Sequence, residues 1–301
     1  RQMCIRDSTG GLGSDTLTMS NTTDGATAVF DSTVAATTVD INAAATFTGA
    51  VTATTATVGA ATTMTGGITA TTTTMGAGDV LTSAADITSA IVVTDATAGL
   101  TLTGSDLTIT GDINASSTTD AGIITANGDK TTFAGNIGAA SGTNLDTLTV
   151  AASKRIVLQE TANFVDQFTL AANAEMELAK TITGGTVFTM TGGTFVAADV
   201  PSTAKIYLPV NLVGGETLTL AAGHTDVDGT ATAIDAVLVD TAVVNYSAAQ
   251  DSGTTTVTAT TKTNPTIATE LGVTANDATA IVQALAAAVN DATPDSGAED
   301  A

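Results

Sequence analysis

Residues 46 to 60 read TFTGAVTATTATVGA, and residues 63 to 77 read TMTGGITATTTTMGA. Ten of the fifteen positions are identical, and the register holds where packing depends on it. Phe47 falls on Met64, Val51 on Ile68 and Val58 on Met75, while Gly49 matches Gly66 and Gly59 matches Gly76. One step upstream, Phe30, Val34 and Ile41 occupy the same three apolar positions. A line rewritten after 17 residues with its large apolar side chains in place is the mark of stacked units, none able to bury its apolar face alone.

A shorter core of the repeat, an apolar residue, Thr-Gly and a second apolar residue, returns as ITGDI at Ile109 to Ile113 and, with Ala for Thr, as FAGNI at Phe133 to Ile137. It returns again as ITGGTV at Ile182 to Val187 and MTGGTF at Met190 to Phe195. Dense Thr, Val, Ile and Gly excludes helix over residues 9 to 261 and favours short strands, with glycine at the corners between them. Alternation within VTATTATV puts Val51, Ala53 and Thr55 on one face and Thr52 and Thr54 on the other. Coils of about 17 to 20 residues at the strand spacing of roughly 4.8 Å would give about a dozen coils and a rod of roughly 60 Å. The expected fold is therefore all-β, a right-handed parallel β-helix (β-solenoid), the hand following the general preference of crossovers. An antiparallel sandwich array is the competing arrangement, and residues 181 to 196 could equally form a hairpin.

Composition agrees with a thin, repetitive core. The chain has 301 residues, 43% of them hydrophobic, yet aromatics make up only 3% and Trp is absent. Eight basic residues against thirty acidic ones give a formal charge of -22, and no Lys or Arg occurs between Arg6 and Lys130. That balance argues against nucleic acid, whose binding depends on cations neutralising phosphates, and disfavours anionic membrane surfaces. The single cysteine, Cys4, lies in RQMCIRDS, a stretch unlike the rest that reads as a non-native assembly artefact. With no start methionine, signal peptide or membrane-length apolar run, the expectation is an internal piece of a longer exported chain.

Four segments follow. Residues 1–8 are set aside, 9–150 are regular Thr/Gly-rich coils, and 151–261 are a less regular continuation, bringing charges, Tyr207 and Pro209. Residues 262–301 form a linker with a helix at about 274–290 and a disordered acidic tail. Thr274 and Asp277 make a capping box, and Ile281, Val282, Leu285 and Val289 an apolar stripe suited to covering the last coil.

The run TTTVTATTKT followed by TELGVTANDATAIVQALAAAV resembles the junction in bacterial autotransporters of the type V secretion system, where a β-helical passenger meets the linker ahead of an outer-membrane barrel. TTFAGNIGA and TMTGGITA are likewise similar to strand repeats of large surface proteins of that group. The resemblance implies a surface-displayed, adhesive passenger tethered at the bacterial outer membrane. Its partners would be a host or neighbouring cell surface, a polysaccharide, or a further copy of itself. No membrane insertion by this segment is implied, and the outer-membrane barrel is expected downstream of these residues.

No catalytic, cofactor or metal residue is assigned. His224, in AGHTDVDGT, is the sole histidine, and no G-x-S-x-G elbow accompanies it. Asp226, Asp228 and Gly229 form a D-x-D-G fragment that could contribute to a calcium site but lacks the further acidic positions of an EF-hand loop; as a turn it needs only Asp and Gly. GGLG at Gly10 to Gly13 lacks the strand and Lys of a phosphate loop. A polysaccharide-degrading enzyme on the same scaffold would need paired carboxylates in a groove beside an Arg or Lys. An ice-binding solenoid would need a threonine grid; Thr52, Thr54, Thr69 and Thr71 supply one only two rungs deep, because Ala35 stands where the next Thr would be.

Overall fold

The computed structural model of the protein describes residues 14–19, 27–116, 121–138, 144–160, 163–180, 190–191, 194–195, 202–209, 212, 214–222, 234–251 and 254–291. Two parallel sheets wind around one interior. The larger has eleven strands; its path follows the chain through Ser14–Met19, Val34–Ile41, Val51–Val58, Ile68–Met75, Ile87–Val93, Asp106–Thr110, Lys130–Phe133, Arg155–Leu158, Glu175–Leu178 and Lys205–Tyr207, with Ile113–Ala115 paired beside Ile87–Val93. The smaller has nine: Ala28–Phe30, Ala45–Phe47, Thr62–Met64, Val80–Ser83, Gly99–Leu102, Ile123–Ala126, Leu145–Val150, Val165–Leu170 and Thr194–Phe195. Each circuit contributes one strand to each wall, which is the parallel β-solenoid expected from the repeat.

Interior columns carry the register. Phe30, Phe47, Met64, Ser83, Leu102, Ala126, Val150 and Leu170 stand one above another in the smaller sheet, every one of them buried. Facing them from the larger sheet run Val34, Val51, Ile68, Ile87, Ile109, Phe133, Leu158 and Leu178, also buried. ITGDI and FAGNI also stack, Ile109 on Phe133 and Ile113 on Ile137.

The matched corner glycines answer a need for space. A Cβ at Gly49 would run into the backbone of Ser32, and one at Gly66 into the backbone of Gly49 itself. Neither glycine is among those with positive φ. Close approach of successive coils, not a left-handed backbone, is what demands glycine there.

Several expectations are corrected. Thr55 does not share a face with Val51: Thr54 and Thr55 are both exposed and Ala56 is buried, because the long strand turns a corner and its alternation changes phase. The circuit is not fixed at 17 to 20 residues. Along the column from Phe30 to Leu170 the steps are 17, 17, 19, 19, 24, 24 and 20, the extra residues being taken up at the corners. The described strands of the larger path stack ten deep, about 43 Å at the strand spacing, instead of a dozen coils.

Nor does the winding continue to Thr261. Thr217–Ala222, Thr254–Thr261 and Val244–Asp251 pair antiparallel, and they join the solenoid side through a parallel contact with Met190–Thr191. No hairpin joins Met190–Thr191 to Thr194–Phe195: the first pairs with Thr217–Ala222, the second with Val165–Leu170. A helical turn stands at residues 234–235, inside the stretch expected to be free of helix.

Two helices close the described chain, α1 over Asn264–Leu271 and α2 over Ala275–Asp291. The first went unseen in the sequence, although Pro265 at its first turn and Gly272, in the left-handed conformation at its end, are ordinary boundary residues. The capping box at the start of α2 is formed: Thr274 N–H donates to Asp277 Oδ2 at 3.2 Å and Asp277 N–H to Thr274 Oγ1 at 3.3 Å. α2 packs on α1, with Asn264 Nδ2 donating to Thr279 Oγ1 at 2.7 Å. Among the residues whose burial is described, Ile267 and Ala278 are the buried ones of these helices, and neither belongs to the interior cluster of the solenoid.

Candidate functional site

Cys4, Gly10 to Gly13, His224, Asp226, Asp228 and Gly229 all lie outside the described residues. Among the described residues no group of three or more His, Cys, Asp or Glu is placed to hold a metal ion. The surface of the solenoid is what remains, and its two sheets present different chemistry.

The outer face of the larger sheet begins with threonine and ends with charge. Thr52 lies in register with Thr69, Thr69 with Thr88, and Thr88 with Thr110, so this column is four deep instead of two. Thr16, Thr38, Thr55 and Thr72 form another, with Thr55 Oγ1 donating to Thr38 Oγ1 at 3.3 Å. Thr54 and Thr71 are both exposed at the bend, between the in-register pairs Ala53–Ala70 and Thr55–Thr72.

Farther along, the same face carries Asp106, Lys130, Arg155, Glu175 and Lys205 in one column. Lys130 lies 3.3 Å from Asp106, while Arg155 and Lys205 each lie 3.9 Å from Glu175. Arg155 Nη2 donates to Glu177, and its guanidinium sits 5.4 Å from the centre of the Tyr207 ring, whose hydroxyl donates to Glu175. The bond to Glu177 raises the Arg155 pKa against the opposing effect of burial. The bond from Lys154 holds the Asp129 carboxyl below the usual carboxylate value. Every described Lys or Arg is paired with a carboxylate, so the few cations of this acidic chain are used within the protein.

The outer face of the smaller sheet is where sequence reasoning missed the main feature. Thr46, Thr63, Thr82, Thr101, Thr125, Thr149 and Thr169 stand in register as seven consecutive rungs. The column is flanked on one side by Ala44, Ala61, Val80, Gly99, Ile123, Thr147 and Gln167. On the other side are Thr48, Thr65, Ala84, Thr103, Asn127, Ala151 and Ala171, held in line by backbone bonds such as Thr65 N–H to the Phe47 carbonyl and Asn127 N–H to the Leu102 carbonyl. None of these positions is charged. The signal was a triplet with Thr at its centre and its two neighbours facing inward: ATF, TTM, LTS, LTL, ITA, LTV and FTL. A search at one fixed period cannot align triplets whose separation drifts from 17 to 24 residues.

Among the described residues no helix is long and apolar enough to cross a membrane. Compared with known proteins, the chain matches no family model, no curated protein and no solved structure.

Proposed function

We propose that this chain is the non-catalytic passenger or stalk of an exported bacterial surface protein, holding an adhesive surface away from the outer membrane to which a downstream barrel tethers it. The observation that supports the reading most is the unbroken interior register from Phe30 to Leu170, which makes an extended, laterally regular stack of coils. The pairing of each described cation supports it further, since among the described residues no free basic cluster is placed to hold an anionic substrate.

The test is display. Placed between a signal peptide and an outer-membrane barrel in a Gram-negative host, the chain becomes sensitive to added protease on intact cells and increases their clumping or their retention on polysaccharide-coated surfaces. Retention of the chain in the periplasm in a folded state, or display with no change in attachment, overturns the proposal.

A second reading, a polysaccharide-degrading enzyme, finds its footing in Glu175 and Glu177 beside Arg155 and Tyr207, next to an open groove of about 510 Å³ lined by Asn173, Lys205 and Asp240. The two carboxylates are neighbours on one strand and both face Arg155, where glycoside cleavage calls for a pair flanking the bond. Release of new chain ends from polysaccharides by the purified protein, abolished by Glu177→Gln, would establish this reading in place of display.

A further inference from the structure

We propose that the seven-threonine face of the smaller sheet binds ice, holding an ordered layer of water against its columns. The first ground is regularity. Rungs recur at the strand spacing of about 4.8 Å, and outward positions two residues apart lie roughly 6.6 Å from one another. These repeats are close to those of the prism face of hexagonal ice. No register shift interrupts the smaller sheet, whereas the larger sheet has one between Thr69 and Thr72.

The second ground is the state of the hydroxyls. Among the described residues none of the seven central threonines uses its hydroxyl in a protein hydrogen bond, in contrast to Thr38 and Thr55 on the other sheet. All seven are half-exposed, so each leaves the donor and acceptors of its hydroxyl to water at a repeat set by the strand spacing.

The third ground is what surrounds them. The chain carries a charge of -22, yet the three columns from Ala44 and Thr48 to Gln167 and Ala171 contain no ionised residue, the carboxylate of Asp31 touching them only at the first rung, where it accepts from Thr48 Oγ1 at 3.4 Å. Two of the four exposed large apolar side chains of the described residues, Val80 at 37% and Ile123 at 41%, lie on it. Methyl groups that order water, hydroxyls that bond to it and an absence of charge are the complement of a crystalline water surface. A protein partner would be expected to find aromatic or arginine anchors, and this face has none. A sugar would be expected to find aromatic platforms, which are equally missing.

The experiment is thermal hysteresis and inhibition of ice recrystallisation by the full chain, with Thr101→Lys at the centre of the column and Thr103→Lys beside it. Thr69→Lys on the opposite sheet is the control, and all are checked for an unchanged unfolding midpoint. The expected result is hysteresis in the wild type, a loss of more than half of it in the Thr101 and Thr103 variants, and none in the control. Because Thr103 is exposed, that variant keeps the test available should Thr101→Lys not fold. Absence of both activities in the folded wild type overturns the proposal, as does equal loss in Thr69→Lys. A dimer in sedimentation that Thr101→Lys dissolves, with no hysteresis, would instead assign the face to a second copy of the chain.

Discussion

Phe30 and Phe47 lie ring on ring inside the solenoid, their centroids 4.7 Å apart and their planes inclined by 7°. They are separated by one full circuit of the chain, and Met64, one circuit farther, continues their column. Like stands over like because a parallel coil returns each residue to the position above its counterpart. Phe47, fully buried between two other large side chains, is the most exacting member. Phe47→Ala is expected to cost about 3–5 kcal/mol, and Phe47→Leu distinctly less, in equilibrium denaturation. Equal and small effects would mean the column is not packed as described.

The corner glycines offer a test of coil spacing. With the backbone of Gly49 standing where the Cβ of residue 66 would go, Gly66→Ala must push two coils apart. A loss of about 1–3 kcal/mol is expected. Gly78→Ala is the comparison, because its Cβ meets nothing within 4 Å and the penalty there comes only from its φ of 74°. A larger loss at Gly78 than at Gly66 would contradict the steric account.

Thr131 is buried with its hydroxyl unpartnered, in an interior column between Leu107 and Ile156. A buried hydroxyl without a bond costs about 1–3 kcal/mol, and valine has nearly the same shape. Thr131→Val is therefore expected to stabilise the fold by an amount in that range, read as a raised denaturation midpoint at unchanged slope. Destabilisation would show that the hydroxyl has a partner.

Acid should loosen the start of α2. Hydrogen bonds from Thr274, side chain first and backbone second, lower the pKa of Asp277 from its ordinary 3.8. A lowered folded pKa means that the ionised carboxylate stabilises the helix fully above the ordinary value, and that the contribution is lost as pH falls through the lower, folded one. Helical circular dichroism of the chain is expected to decline below about pH 4 and the decline to shift to higher pH in Thr274→Ala. Identical titrations in both proteins would remove the capping box from the account.

Much of the architecture was legible in one line of sequence. Phe30, Phe47 and Met64, with Val34, Val51 and Ile68, announce their columns because the first circuits are of equal length and their large side chains recur in place. The threonine face was not legible in the same way. Its rungs drift in spacing, since corner insertions change the length of a circuit without disturbing the register of the walls. Antiparallel closure at Val244–Asp251 and Thr254–Thr261 was equally hidden, because an alternating Thr/Val run is compatible with either strand direction.

By itself, then, the sequence determined that this protein would wind rather than fold about a single centre: small β-branched side chains in a short period can bury themselves only by stacking. Tertiary structure decided which threonines meet. Each of seven coils contributes one threonine to the central column of the smaller face, and only backbone pairing between coils, indifferent to the number of residues in the corners, brings the seven into a single line.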